Sequence, residues 1–118
     1  KRKKKKNNNM TYTEIIHKIS DEMNISEFAH SDYPSSICTS TGRGTVFLDE
    51  IGECRDMDSH GGEGQGEDWW CVKYFPDHDV YIKVRGYYTS YDGTQFDGWE
   101  NCFEVRPREK VVIVYDPI

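Results

Sequence analysis

Carboxylates and a histidine crowd one short glycine-rich segment, and such side chains can bind Ca²⁺, Mg²⁺ or Mn²⁺. The candidate ligands are Asp56, Asp58, His60, Glu63, Glu67 and Asp68. Their spacing does not reproduce the EF-hand pattern, which needs alternating carboxylates, a glycine and a distant glutamate. We therefore interpret the segment as a solvated acidic loop and predict no metal and no other cofactor.

The same segment, SHGGEGQGED at residues 59–68, could bring backbone N–H groups close to a phosphate. No Lys-Ser/Thr pair follows the glycines, so the P-loop pattern is missing. The carboxylates of Glu63, Glu67 and Asp68 would also repel a phosphate. A flexible loop between two strands is the interpretation that remains.

Nucleophilic catalysis is the next chemistry that the residue types allow. The chain contains four cysteines and four histidines, but no CxxC pair, no zinc-ligand spacing and no GxSxG elbow. The cysteines are Cys38, Cys54, Cys71 and Cys102. We predict that Cys71 and Cys102 are buried in strands and that the protein is not an enzyme.

The aromatic stretch from Gly86 to Pro107 is the strongest candidate for a working surface. Its two Asp-Gly steps, Asp92-Gly93 and Asp97-Gly98, predict a hairpin. Tyrosine and tryptophan anchor protein interfaces because they bury a large area with few rotatable bonds. The predicted partner-binding residues are Tyr87, Tyr88, Tyr91, Asp92, Phe96, Asp97, Trp99 and Glu100, with Glu63, Glu67 and Asp68 of the acidic loop.

Two other functions remain open. A small ligand or a nucleotide could stack on Tyr88 or Trp99 while Arg106 or Arg108 holds a phosphate, provided that these groups converge in one pocket. A virion or assembly component would need only a β-rich body with a self-associating edge strand.

The charge distribution favours a partner with a basic surface. The chain of 118 residues has a net charge of −6, and the tail from Lys1 to Lys6 carries six positive charges. The rest of the chain holds 9 basic and 21 acidic residues, a net charge of −12. We expect residues 1–9 to be a disordered or non-native tail, with Met10 as the start of one domain over residues 10–118. Nucleic-acid binding is expected only through that tail, and the oligomeric state is left open.

No apolar stretch resembles a signal peptide or a membrane-spanning helix. We therefore expect no membrane contact, a cytosolic location and reduced thiols.

The elements that position these residues follow from periodicity. Thr11 and Glu14 match a capping box, and apolar residues at helical spacing predict an amphipathic helix over residues 12–24. A short helical turn is expected from Ser26 to Ala29, and residues 30–44 are expected to form a loop.

Strands are predicted over residues 45–48, 51–57, 69–75, 80–91, 99–106 and 110–115, and the first two ranges are either two strands or one bent strand. In the fourth of these, Val80, Ile82 and Val84 alternate with polar residues and should face the core. The unbroken apolar run of Val111 to Val114 predicts a central strand covered on both faces. The predicted fold class is α+β, with an N-terminal amphipathic helix packed on an antiparallel β-meander of about five strands.

Residues 61–116 also carry a resemblance. The GGEGQG loop, the hairpin GYYTSYDGTQFD and the ending EVRPREKVVIVY are similar to a group of small phage-encoded proteins. The resemblance implies a phage origin and a location in the host cytosol, and it supplies no catalytic residues. With the charge and the aromatic hairpin, it leads to the hypothesis of an acidic interaction protein that inhibits or redirects a host protein, such as a defence or nucleic-acid-processing protein.

Overall fold

The computed structural model describes residues 9–42, 45–61, 67–89, 93–96 and 98–118. Two helices come first, followed by strands. The elements are α1 (Tyr12–Glu22), α2 (Ile25–Ala29), β1 (Cys38–Gly42), β2 (Thr45–Leu48), β3 (Gly52–His60), β4 (Glu67–Phe75), β5 (Val80–Thr89), β6 (Gly93–Gln95), a 3₁₀ turn (Trp99–Asn101) and β7 (Cys102–Val105).

Capping boxes begin both helices. Thr11 Oγ1 accepts a hydrogen bond from the Glu14 N–H at 3.2 Å, and the Glu14 carboxylate accepts one from the Thr11 N–H at 2.8 Å. Asn24 and Glu27 repeat the arrangement at the start of α2. The two predicted helices are confirmed. The reciprocal caps stabilise them, because they satisfy N–H groups that a helix start leaves unpaired.

The sheet is an antiparallel meander. Each strand from β1 to β6 pairs with the next, and β7 pairs with β5. The predicted α+β class with a helix packed on the sheet is therefore confirmed. Seven strands form within the described residues, rather than about five. The predicted loop over residues 30–44 is wrong at Cys38–Gly42, because pairing with β2 holds this β-branched stretch extended.

The core lies between the helices and one face of the sheet. Val80, Ile82 and Val84 are buried, as the alternation predicted. The helices supply Ile15, Ile19 and Phe28 against them, and the burial predicted for Cys71 and Cys102 is also confirmed. No helix in the described part of the chain is long and apolar enough to cross a membrane.

The prediction of a central strand at residues 110–115 is wrong. This segment has no regular secondary structure, and its apolar side chains from Val111 to Tyr115 are 70–95% exposed. The chain leaves the sheet after β7 at Arg106, which pairs with Asp79 at 3.1 Å, and then reaches Pro107. Proline has no N–H to continue a ladder, and the covered face of the sheet is already filled by the helices.

Candidate functional site

The face of the sheet opposite the helices carries a band of aromatic and apolar side chains. On β4, Trp70, Val72 and Tyr74 alternate with the buried Cys71, Lys73 and Phe75, and they point away from the core. We call this surface the open face. Its members are Phe47, Arg55, Met57, Trp70, Val72, Tyr74, Tyr81, Lys83, Phe103 and Val105.

Contacts between neighbouring strands order the rings of the open face. Tyr74 and Tyr81 lie directly opposite one another and stack with ring centroids 4.1 Å apart. Trp70 stacks on His60 at 5.7 Å, and the Lys83 ammonium lies 4.5 Å from the centre of the Trp70 ring. Cross-strand aromatic pairs and cation–π contacts of this kind hold side chains in fixed positions. The open face is therefore organised before any partner arrives.

A groove of about 500 Å³ runs across the open face. Its lining consists of Met57, Asp58, Trp70, Val72, Tyr81, Lys83, Val105, Arg106 and Pro107. A bulge in β3 between Asp56 and Asp58 leaves Met57 out of the strand pairing, with half of its surface exposed. Flexible methionines suit adaptable binding surfaces. The charged lining residues of the groove are Asp58, Lys83 and Arg106, of which Arg106 pairs with Asp79, and the other lining residues are apolar or aromatic.

The predicted hairpin residues divide between the two faces of the sheet. Phe96 packs edge-on against Trp69 at 5.5 Å, and Trp99 lies 5.8 Å from Phe28. Both rings therefore contribute to the covered side. Tyr88 is half-buried opposite Thr94.

Tyr87 faces the other way and is 49% exposed. It lies opposite the exposed Asp68, next to the pair of Trp70 and Arg85, so both predicted residues extend the open face. Glu100 is exposed, and Glu67 belongs to β4. The predicted residues Glu63, Tyr91, Asp92 and Asp97 lie outside the described residues.

The groups required for the ligand-binding alternative are separated. Trp99 packs on the helix side of the sheet, whereas Arg106 lines the groove of the open face. Arg108 lies in the exposed C-terminal segment. The structure therefore does not bring Trp99 and Arg106 into one pocket.

Sequence reasoning placed Tyr81 on the outward side of its strand but missed Trp70 and Tyr74 as surface residues. A signal was present, because within residues 69–75 both alternating sets are apolar or aromatic apart from Lys73. One small domain cannot cover both faces of such a strand with a single pair of short helices.

Lys73 is the one charged side chain in the buried core of the described chain, with 1% of its surface exposed. Its ammonium donates to Ser31 Oγ and to Asp56 Oδ1, each at 2.7 Å, and lies over the rings of Phe28 and Tyr33. A pocket of about 400 Å³ opens beside it.

This cluster has the residue types of a serine–lysine catalytic pair, but not the hydrogen bonding. The Ser31 hydroxyl donates to Asp56 while accepting from the lysine. An ammonium paired with a carboxylate has no lone pair with which to take the serine proton. The arrangement therefore anchors the end of α2 to β3 and β4.

The buried thiols are not activated nucleophiles. Burial raises the pKa of Cys54 and of Cys71 to about 11, and that of Cys102 to about 12. Because the thiolate is the reactive form, these three side chains remain unreactive at neutral pH.

Two of the candidate metal ligands make other contacts in the structure. Asp56 binds Lys73, and His60 stacks on Trp70. Among the described residues, no group of three or more histidine, cysteine or acidic side chains could hold a metal ion.

Comparison with known proteins gives no further guide. No protein-family model, curated protein or solved structure matches this chain. A functional argument therefore depends on the surface of the molecule.

Proposed function

We propose that this protein acts by binding another protein through its open face, and that it thereby inhibits or redirects that partner. The observation that carries the proposal is a sheet face left uncovered although it holds Trp70, Tyr74 and Tyr81 at its centre. These three rings are half-buried, and Phe47, Met57 and Phe103 around them are 38–50% exposed. A contiguous apolar surface that stays partly exposed is typical of interaction sites. Its tryptophan and tyrosines are the residue types that dominate binding energies.

The organisation of the rings supports this role. Tyr74 and Tyr81 are stacked, and Trp70 is fixed between His60 and Lys83. Ordering side chains upon association costs free energy, so residues that are already ordered bind more tightly. The groove beside Met57 offers a place for an apolar side chain of the partner.

The charge of the chain indicates the partner's chemistry. A body with a net charge of −12 attracts basic proteins over long range. Because the open face itself carries Arg55, Lys83 and Arg85, the partner would place an apolar patch on its rings and direct basic side chains only towards Asp58 and Asp68. The resemblance to phage-encoded proteins suggests a host protein, with binding in the host cytosol.

The proposed activity is not enzymatic. The groups best suited to chemistry are committed to structure, since Lys73 is neutralised by Asp56 and the buried thiols stay protonated. A binding function uses the surface that the fold leaves exposed.

A pull-down of host lysate at low and moderate salt, followed by mass spectrometry, tests the proposal. The wild-type chain is compared with the double variant Trp70→Thr/Tyr81→Thr, in which threonine retains β propensity without the rings. We expect the open-face variant to lose the retained protein. The proposal fails if this variant retains it as well as the wild type does.

A matched control is Asp21→Asn/Glu22→Gln, which removes two exposed charges on the helix side. We expect this control to retain the same protein and to show a weaker dependence on salt, because only long-range attraction is reduced. If only the control fails to retain the protein, the binding surface lies on the helix side and not on the open face.

A further inference from the structure

β7 is an edge strand in the described part of the chain. Within the described chain, β7 pairs with β5, from Val84↔Cys102 to Tyr81↔Val105, and with no other strand. A strand carries backbone donors and acceptors on both edges, so an edge without a neighbour is a template for another strand. Phe103, in the middle of β7, is 38% exposed.

The C-terminal segment has the composition of a strand but lacks a neighbour. Residues 110–115 read KVVIVY, and Val111, Ile113 and Tyr115 are 95%, 75% and 93% exposed. Valine, isoleucine and tyrosine favour strands because they pack well on a pleated surface. Exposure of a run of such residues indicates a site of association.

The two features are complementary in one antiparallel register. Placing Lys110 opposite Glu104 also places Val111 opposite Phe103 and Val112 opposite Cys102. Opposite charges and aromatic–β-branched pairs stabilise neighbouring strands when they lie directly across from one another.

Other registers lose these pairs. A shift by one residue sets Val111 against the Glu104 carboxylate and turns every side chain of the segment to the other face. A shift by two residues sets Val112 against the Glu104 carboxylate and leaves Lys110 without its acidic partner.

We propose that two copies of this chain form a dimer by strand exchange, in which residues 109–112 of each copy pair with β7 of the other and residues 113–115 continue past its end. The register is centred on Pro107, so a two-fold axis through that residue creates the same contacts twice. Proline without an N–H is tolerated at a position that makes no ladder hydrogen bond. Arg106 and Arg108 meet near the axis, and Asp79 neutralises Arg106 at 3.1 Å.

A hairpin within one chain would use the same register, and local chemistry disfavours it. Its loop would be Arg106-Pro107-Arg108, whereas three-residue hairpin loops need a residue with positive φ, usually glycine. The structure holds Arg106 against Asp79 and leaves the segment away from β7. This inference concerns the β7 edge and does not depend on the proposed partner of the open face.

Mixing two charge-reversal variants distinguishes strand exchange between two chains from a hairpin within one chain. Sedimentation of the full chain should show a dimer, and Glu104→Lys or Lys110→Glu should each weaken dimerisation about tenfold, because two exposed pairs become repulsive. An equimolar mixture of the two variants should recover the wild-type affinity, since both pairs in a mixed dimer are again of opposite charge. Recovery is possible only if the pairs form between chains.

Two results would overturn the proposal. One is a wild-type chain that stays monomeric at the highest concentration at which it is soluble. The other is a mixture that dimerises no better than the separate variants.

Val112→Asp is a second test, because it places a charge opposite Cys102. It should abolish the dimer without changing the monomer's unfolding midpoint, since the segment lies outside the core. The control Asp116→Lys reverses a charge beyond the paired residues and should leave dimerisation unchanged. A Val112→Asp variant that dimerises like the wild type would contradict the proposal.

Discussion

Lys73 Nζ lies 2.7 Å from Asp56 Oδ1, and the two paired side chains differ greatly in their exposure to water. The lysine side chain is 1% exposed, whereas the aspartate side chain is 46% exposed. The carboxylate therefore keeps much of its hydration, and the ammonium depends on the carboxylate and Ser31. Removing one partner or the other should consequently have unequal effects on stability.

Asp56→Asn should destabilise the protein more than Lys73→Met. The asparagine variant leaves a charged lysine in the core, which costs about 3–5 kcal/mol where both partners of a pair are buried. Here we expect about 2–3 kcal/mol, because water reaches the Asp56 site. The methionine variant fills the space and leaves a carboxylate that water can reach, so we expect a loss below about 1.5 kcal/mol. Urea unfolding of both variants at neutral pH measures the difference. Equal losses, or a larger loss for Lys73→Met, would show that the pair is not asymmetric.

Alkaline pH should unfold the protein. Burial raises the pKa values of Cys54, Cys71 and Cys102 above the ordinary 9.0, so between about pH 9 and pH 11 the unfolded chain loses protons that the folded chain keeps. The free energy of unfolding then falls as pH rises, by up to about 1.4 kcal/mol per pH unit for each thiol.

This slope has a direct test. Cys102→Ala should reduce the fall in stability between pH 9 and pH 11, once each variant is normalised to its own stability at pH 8. An unchanged slope would show that Cys102 does not contribute to the alkaline instability.

Gly86→Ala should destabilise the β5–β6 hairpin. A methyl group at this position would lie 2.7 Å from the Phe96 ring and 2.9 Å from the Gln95 carbonyl oxygen. The backbone oxygen cannot move without disturbing the pairing of Tyr87 with Gln95, so we expect a loss of about 1–3 kcal/mol. The double variant Gly86→Ala/Phe96→Leu should recover little of it, because the backbone contact remains. Wild-type stability of Gly86→Ala would mean that the hairpin shifts freely.

The sequence correctly predicted features that depend on residues close together along the chain. The capping box of Thr11 and Glu14 and the alternation of Val80, Ile82 and Val84 are local patterns, and the structure confirms both. The side to which Phe96 and Trp99 turn depends on α2, whose Phe28 lies about seventy residues away along the chain. A pattern within the hairpin contains no information about that contact.

The C-terminal run shows a different limit. The hydrophobicity of Val111 to Val114 predicts that these side chains are buried, but it does not indicate whether the same chain or another molecule packs against them. In the single chain, the ion pair of Arg106 and Asp79 directs the segment beyond the end of β7. A pattern that was wrong for the isolated fold is consistent with the proposed dimer.

His78 connects Met10 to Ile51, and its loss should loosen the chain just before α1. Its Nδ1 accepts a hydrogen bond from the Met10 N–H at 2.8 Å, so the ring proton must lie on Nε2, which donates to the Ile51 carbonyl at 2.6 Å. His78→Phe keeps a ring of similar shape and removes both bonds, and we expect a loss of about 1–3 kcal/mol. Amide hydrogen exchange should accelerate at Met10 before it accelerates in β5. The control His17→Phe alters an exposed ring on α1 and should leave both measurements unchanged. If exchange at Met10 is unaffected by His78→Phe, Met10 is held by the packing of α1 and not by this imidazole.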